Sequence, residues 1–383
     1  MNTNRTDIHK AFLQLSRIGI GTSKDAKIPH EIDWPAVKDL AERQGLGAVV
    51  LDGFEVLRTN GNLSANHNLP DKLFMLEWIG ETLQGYEYRF ELYCRAIAEL
   101  ASFYNAHGYK MMVLKGYACS IDWPKPEHRP CGDIDIWLFG RQAEADAALG
   151  SWFKVQDSST SEATKSSASF KIDSSHHHHT VFEWQGFTVE NHYDFVNVHA
   201  RKSSAELEKV FKSLGEDDSY SVEVLGEKVY MPSPNLHALF LAKHMVSHFT
   251  GANITLRQVL DWAFFFEKHS SQIDRDWLIK MLKDFHLDEF MNCINAICVD
   301  ELGFDAKIFP FVQFNPEIKS RVLNDIIHPE FEAASPKQLI PRLIYKFRRW
   351  QGNAWKQRLC YNESRWSAFW TGIWAKILKP ASI

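Results

Sequence analysis

The stretch Asp133-Ile134-Asp135-Ile136-Trp137-Leu138 constrains this chain most, because it alternates without a break between two kinds of side chain. Residues i and i+2 of a strand point the same way. Ile134 and Ile136 therefore turn into a core, and Asp133 and Asp135 share the opposite face. Two carboxylates held that close repel each other, so a fold keeps them with a compensating cation. A hard divalent ion that takes oxygen ligands, Mg2+ or in its place Mn2+, suits the pair. Two such ions about 3.5–4 Å apart would clamp a phosphoryl group during in-line displacement. The plain alternative is an exposed strand with solvated acids, and the flanking segments weigh against it.

Upstream, Val113-Leu114-Lys115-Gly116 reads as a strand closed by a glycine turn. Glycine lets a backbone come close to phosphate, and Lys115 can neutralise one. Downstream, Thr188-Val189-Glu190-Asn191-His192 alternates again, with Glu190 and His192 on one face and Val189 on the other. A third carboxylate on a neighbouring strand would complete a metal site.

The rest of the chain reads as helices around this small sheet. Asp33 is placed to cap, and Pro35 to open, a helix whose apolar residues Val37, Leu40 and Ala41 recur at helical spacing. A second helical pattern covers residues 76–104 and stops at Asn105-Ala106-His107-Gly108. Residues 141–153 read as a helix, and residues 177–184 and 187–193 flank Gln185-Gly186 as a hairpin. From Asn235 onward the pattern is helical, with Leu236, Leu239, Phe240 and Lys243 opening one helix and residues 256–268 forming another. The fold class is therefore α+β, a small mixed sheet flanked by helical regions. The expected division is a helical region over 1–108, a sheet core over 109–232 with a flexible Ser-rich loop at 157–175, a helical region over 233–335, and a basic, Trp-rich helical segment over 336–383.

At 383 residues and 45% apolar, the chain can bury two or three cores or one large one. Its net charge of −5 excludes nucleic-acid binding through bulk positive charge. No apolar run approaches the roughly 20 residues of a membrane-spanning helix, and residues 1–10 lack the apolar stretch of a secretion signal. The six cysteines are scattered without a CxxC pair, which points to a reduced, cytoplasmic setting. The charge is uneven, however. Residues 336–383 hold ten Lys/Arg against one acid, Glu363, together with Trp350, Trp355, Trp366, Trp370 and Trp374. Such a segment packs its tryptophans on the domain and solvates its charges, or else lies peripherally on an anionic surface.

Taken in order, Leu114-Lys115-Gly116, then Asp122-Trp123-Pro124-Lys125-Pro126, then Arg129-Pro130-Cys131-Gly132-Asp133-Ile134-Asp135-Ile136, then Val189-Glu190-Asn191-His192 resemble the uncharacterised bacterial nucleotidyltransferase family of the DNA polymerase β superfamily. That family typically reads LKG, a YP…P…R stretch, GDID and a later ElH. The likeness extends from about residue 30 to 270, through Ile32-Asp33-Trp34, Lys243-His244 and Leu256-Arg257-Gln258-Val259-Leu260-Asp261. It implies a minimal nucleotidyltransferase core with helical additions. Asp133, Asp135 and Glu190 would bind metal and act in catalysis. Lys115, Gly116, Arg129, Gly132 and Lys243 would contact the nucleotide, with Arg129 or Lys243 alternatively a structural partner of the two aspartates. The chain departs from the superfamily in having Lys-Gly for its Gly-Gly/Ser turn, and from the family in having Asn191 where Leu is common. The implied reaction is Mg2+-dependent transfer of an NMP from an NTP, ATP by abundance, with pyrophosphate leaving. The acceptor is open among a sugar, another small molecule, a protein and RNA.

Several histidines carry weaker signals. His176-His177-His178-His179 reads as a polar strand start, although alternation would put His177 and His179 on one face, within reach of His192 or His199 for a transition metal. His244 and His248 have the i, i+4 spacing of a zinc pair but lack the glutamate of a zinc protease, and a hydrogen-bonded pair is the expectation. Two further readings compete with nucleotidyl transfer. One is a catalytically silent protein holding a polyanion through residues 336–383, and the other is a histidine-based metal enzyme.

Overall fold

The computed structural model describes residues 5–24, 27–61, 68–159, 170–216, 220–331 and 338–364. They fall into two compact units. A helical unit comprises the described residues of Met1–Phe90, Ser120–Pro130 and Leu241–Asn362, and a sheet unit those of Glu91–Cys119, Cys131–Phe240 and Glu363–Ile383.

In the helical unit the Asp33 carboxylate accepts the Ala36 N–H at 3.1 Å and starts the Trp34–Arg43 helix, which buries Trp34, Val37, Leu40 and Ala41. The single helix expected over 76–104 is instead the helices Lys72–Thr82 and Arg89–Ala106 with a π-helical turn, Leu83–Tyr88, between them. That turn carries Tyr86, whose hydroxyl donates to Glu42 at 2.7 Å, an interaction that periodicity does not reveal. The basic C-terminal segment forms the helices Leu339–Gly352 and Ala354–Cys360. Trp355 is half-buried, with its ring centroid 5.5 Å from that of Phe249. Lys356 is buried against Asp325 at 2.5 Å. Ile340, Leu343, Ile344 and Phe347 form an exposed apolar strip at helical spacing. Trp366, Trp370 and Trp374 lie outside the described residues. Among the described residues no helix is long and apolar enough to cross a membrane.

The sheet unit is built on six strands: β1 (Met112–Val113), β2 (Ile134–Trp137), β3 (His179–Trp184), β4 (Phe187–His192), β5 (Ser221–Val224) and β6 (Glu227–Tyr230). Their order is β3-β4-β2-β1-β6-β5, and the sheet is mixed, with β2 parallel to β4, β1 parallel to β6 and the other neighbours antiparallel. Together with the helices this makes the α+β arrangement that the alternating strands imply. The β3–β4 hairpin turns at Gln185 and Gly186, whose φ of 50° and 80° match the primed turn that such hairpins favour. The β5–β6 hairpin was not expected, although Val222, Val224 and Val229 alternate about Leu225-Gly226 as hairpin strands do.

One sheet face is covered by the Arg89–Ala106 and Gln142–Ser159 helices. Tyr93, Ile97, Leu100 and Tyr104 from the first, and Ala145 and Leu149 from the second, enclose Ile134, Ile136, Phe182 and Val189 in one buried cluster. The 93, 97, 100, 104 spacing is the apolar stripe of an amphipathic helix. On the other face, Gly215 ends the Lys202–Gly215 helix against Trp137. Of the Ser-rich stretch 157–175, residues 157–159 end the Gln142–Ser159 helix, and residues 160–169 lie outside the described residues.

Candidate active site

The register of the central strands brings two of the three acids, Asp135 and Glu190, together. β2 and β4 pair Asp135 with Glu190 and Trp137 with His192, and β3 sets His179 opposite His192. Both central strands alternate, so Ile134, Ile136 and Val189 go to the core, while Asp135, Glu190 and His192 gather on the other face. The Leu114 N–H donates to the Asp135 carbonyl at 2.9 Å. Chain continuity then brings Lys115 to the same place.

Lys115 Nζ lies 3.0 Å from Asp135 Oδ1, and His192 Nε2 lies 3.2 Å from the same oxygen and 3.6 Å from Glu190 Oε2. The Asp135 side chain is 1% exposed and that of Glu190 24%, while Asp133 is exposed just before β2, next to the exposed Gly132. The Tyr93 hydroxyl donates to the Asp133 carbonyl at 2.9 Å and so ties this loop to the Arg89–Ala106 helix. The same hydroxyl explains the glycine of the Leu114-Lys115-Gly116 turn. Gly116 has φ 66°, and a Cβ there would sit 2.2 Å from Tyr93 Oη, so both conformation and space exclude a side chain.

Burial opposes charge on Asp135, but the Lys115 ammonium and the His192 ring outweigh it and hold the carboxyl far below its usual range. Burial likewise opposes charge on His192; hydrogen bonds to Asp135 and Glu190 prevail and raise it to about 9. Burial also works against the Lys115 ammonium, and Asp135 and Glu190 more than offset it, so its pKa is raised. His178 and His179, by contrast, are pushed down to about 3 by burial and by the charge of His192.

Both cations approach Oδ1 of Asp135. Its Oδ2 is buried and has no hydrogen-bond partner. An orphaned carboxylate oxygen is costly to bury. Carboxylate oxygens of Asp135 and Glu190 lie within 4.8 Å of each other. An oxygen-rich donor set with one unsatisfied buried oxygen fits a hard divalent cation.

The remaining expected contacts, Arg129 and Lys243, belong to the helical unit. Arg129 is 4% exposed and binds Asp261 in a bidentate manner, Nε to Oδ1 at 2.7 Å and Nη2 to Oδ2 at 2.9 Å. Trp123 Nε1 adds a bond to Oδ1 at 2.9 Å. Lys243 Nζ donates to the Tyr361 hydroxyl at 3.2 Å and lies 5.0 Å from that ring's centroid. His244 and His248 hydrogen-bond through their Nε2 atoms at 3.1 Å.

Three features were not foreseen. Residues 176–178 form a bend, so strand alternation does not reach back to His177. It is His178 and His179 that close on His192, with donor atoms within 4.8 Å of one another. Asn191, on the core side of β4, donates to Asp146 Oδ1 at 2.7 Å, and Thr180 donates to Oδ2 of the same buried acid at 2.7 Å. The polar residue at 191 thus has a partner from a helix 45 positions away, which local pattern does not disclose. Tyr93 was legible only as a core residue of its helix.

A family model described as an uncharacterised nucleotidyltransferase matches residues 30–302. No curated protein and no solved structure matches the chain.

Proposed function

The chain belongs to the uncharacterised nucleotidyltransferase family, and on that premise we propose that the sheet unit transfers an NMP from an NTP, ATP by abundance, to an acceptor hydroxyl or amine, with release of pyrophosphate, in a site of the polymerase β-like kind. The observation that carries this reading is the buried, partnerless Oδ2 of Asp135 beside Glu190, on the face opposite the core. Asp133, Asp135 and Glu190 would hold Mg2+, which when bound would neutralise the triphosphate and make the α-phosphorus more electrophilic.

The protein's own groups do the rest. Lys115 keeps Asp135 ionised through its 3.0 Å contact and, with 23% of its side chain exposed, still presents positive charge to a phosphate oxygen. Gly116, lacking a Cβ, keeps the turn clear for close approach of the triphosphate. Glu190 is reachable by solvent where Asp135 is not. It accepts the acceptor's proton as the acceptor atom bonds to the α-phosphorus and the bond to pyrophosphate breaks. Positioning and fixed charge, rather than a covalent intermediate, supply most of the acceleration in such transfers. The reading asks nothing of Arg129 or Lys243.

Incubating the chain with each labelled NTP, Mg2+ or Mn2+ and a cell extract tests it. Label moved from one NTP to an acceptor, with pyrophosphate released and the transfer lost in Asp133→Ala, is the expected result. Pyrophosphate release that persists in Asp133→Ala contradicts it.

A further inference from the structure

His178 and His179, beside the acids, have no role in the proposed reaction. His178, His179 and His192 place one ring nitrogen each within 4.8 Å of the others. His179 and His192 keep only 8% and 6% of their side chains exposed. Buried imidazoles normally find partners, yet Nδ1 of His178 and Nδ1 of His179 are both buried without a hydrogen bond. His192 Nδ1 faces the Asp194 carbonyl at 3.2 Å. A histidine that binds metal commonly donates its second N–H to a backbone carbonyl in this way, which leaves Nε2, 3.2 Å from Asp135 Oδ1, as the atom that ligates once metal displaces its proton. Glu190 Oε2 lies 3.6 Å from that Nε2 and 3.9 Å from His179 Nδ1.

We propose that His178, His179 and His192 form a second, nitrogen-rich site for a late first-row divalent ion of the Zn2+ class, distinct in chemistry from the oxygen site of Asp133, Asp135 and Glu190. Three imidazoles are a donor set for zinc, cobalt or iron rather than for magnesium. The ion draws the donors in to about 2.0–2.1 Å and satisfies both orphaned nitrogens. Glu190 stands at the boundary of the two sites. The bend at residues 176–178 makes this possible, because it turns two successive histidines toward His192 where a regular strand would turn only one. His177 takes no part, since its ring faces His199 at 5.9 Å.

The experiment is a titration of Co2+ and Zn2+ into the full-length, untagged, chelator-stripped chain with excess Mg2+ present and no nucleotide. Calorimetry reads stoichiometry, and the visible spectrum of Co2+ reads imidazole ligation. One equivalent with an imidazole-type spectrum is expected. Outer-shell partners alone are worth about 10–100-fold in metal affinity. His178→Gln and His179→Gln should therefore each weaken binding by at least tenfold, while His177→Ala and Asp133→Ala bind like the parent. Circular dichroism of each stripped variant checks its fold, and the parent titration stands whatever the variants do. Absence of stoichiometric Co2+ binding by the parent overturns the proposal. So does a loss in His177→Ala equal to that in His178→Gln, because the run would then be chelating from the surface. Neither result depends on nucleotidyl transfer, so failure here and failure of the proposed reaction are separable.

Discussion

Asp261 in the helical unit and Asp135 in the sheet unit are both buried carboxylates with cationic partners, yet they are served very differently. Asp261 has both oxygens occupied, by the fork of Arg129 and by Trp123 Nε1. Asp135 carries two cationic partners on one oxygen and none on the other. A saturated pair fixes its surroundings and has no valence left for a ligand. An unsaturated one holds charge and a free lone pair in place at a cost to folding, which is the signature of a site kept for something else. The histidines repeat the contrast. His244 and His248 satisfy each other, whereas His178 and His179 leave buried nitrogens open.

Four substitutions break or sharpen that contrast. The largest effect is expected on activity. Asp133→Asn alters an exposed side chain and should lower nucleotidyl transfer by about 10³-fold, the upper end for losing one preorganised electrostatic group, with thermal melting unchanged. A shifted melt would mean that Asp133 belongs to the fold instead. Arg129→Ala acts on the saturated side. It strands a buried Asp261, and urea unfolding should show a loss of about 3–5 kcal/mol. A loss below about 1 kcal/mol, the range of surface pairs, would mean that the pair is solvated and the comparison fails. Asn191→Leu removes one of the bonds to Asp146 and should cost about 1–3 kcal/mol. Urea unfolding reads that loss, and a variant as stable as the parent would mean that Thr180 and Gln142, which also donate to Asp146, satisfy it without Asn191.

The smallest effect is one of pH. Burial lowers the pKa of His128, but its bonds to Asp52 at 2.7 Å and Glu87 at 3.2 Å prevail over burial and over nearby Lys125, and the pKa is raised. Because the folded value lies above the unfolded one of about 6.5, this stabilisation is complete below that pH. It fades as pH rises through the folded value. Unfolding free energy followed against pH should lose this component in His128→Asn. A slope identical to the parent's would remove His128 from the account.

Much of the sheet unit was legible because alternation is a local signal. Ile134 and Ile136 against Asp133 and Asp135, and Val189 against Glu190 and His192, defined two strands and their outward faces before any pairing was known. The Gln185-Gly186 turn fixed a hairpin for the same reason. What could not be read depends on contacts distant in sequence or on breaks in regularity. Arg129 meets Asp261 across 132 residues, and Asn191 meets Asp146 across 45. The π turn at Leu83–Tyr88 and the bend at 176–178 interrupt the very periods from which helices and strands are inferred. The bend matters most, since it exchanges His177 for His178 in the cluster.

The central claim is that the open oxygen of Asp135 and its neighbours form a cation-dependent nucleotide site. Calorimetric titration of ATP into the full chain, with and without Mg2+, tests it most directly when the parent is compared with the Asp133→Ala/Asp135→Ala double variant. Binding by the parent should require Mg2+ and be lost in the double variant. Mg2+-dependent binding that survives both substitutions would contradict it.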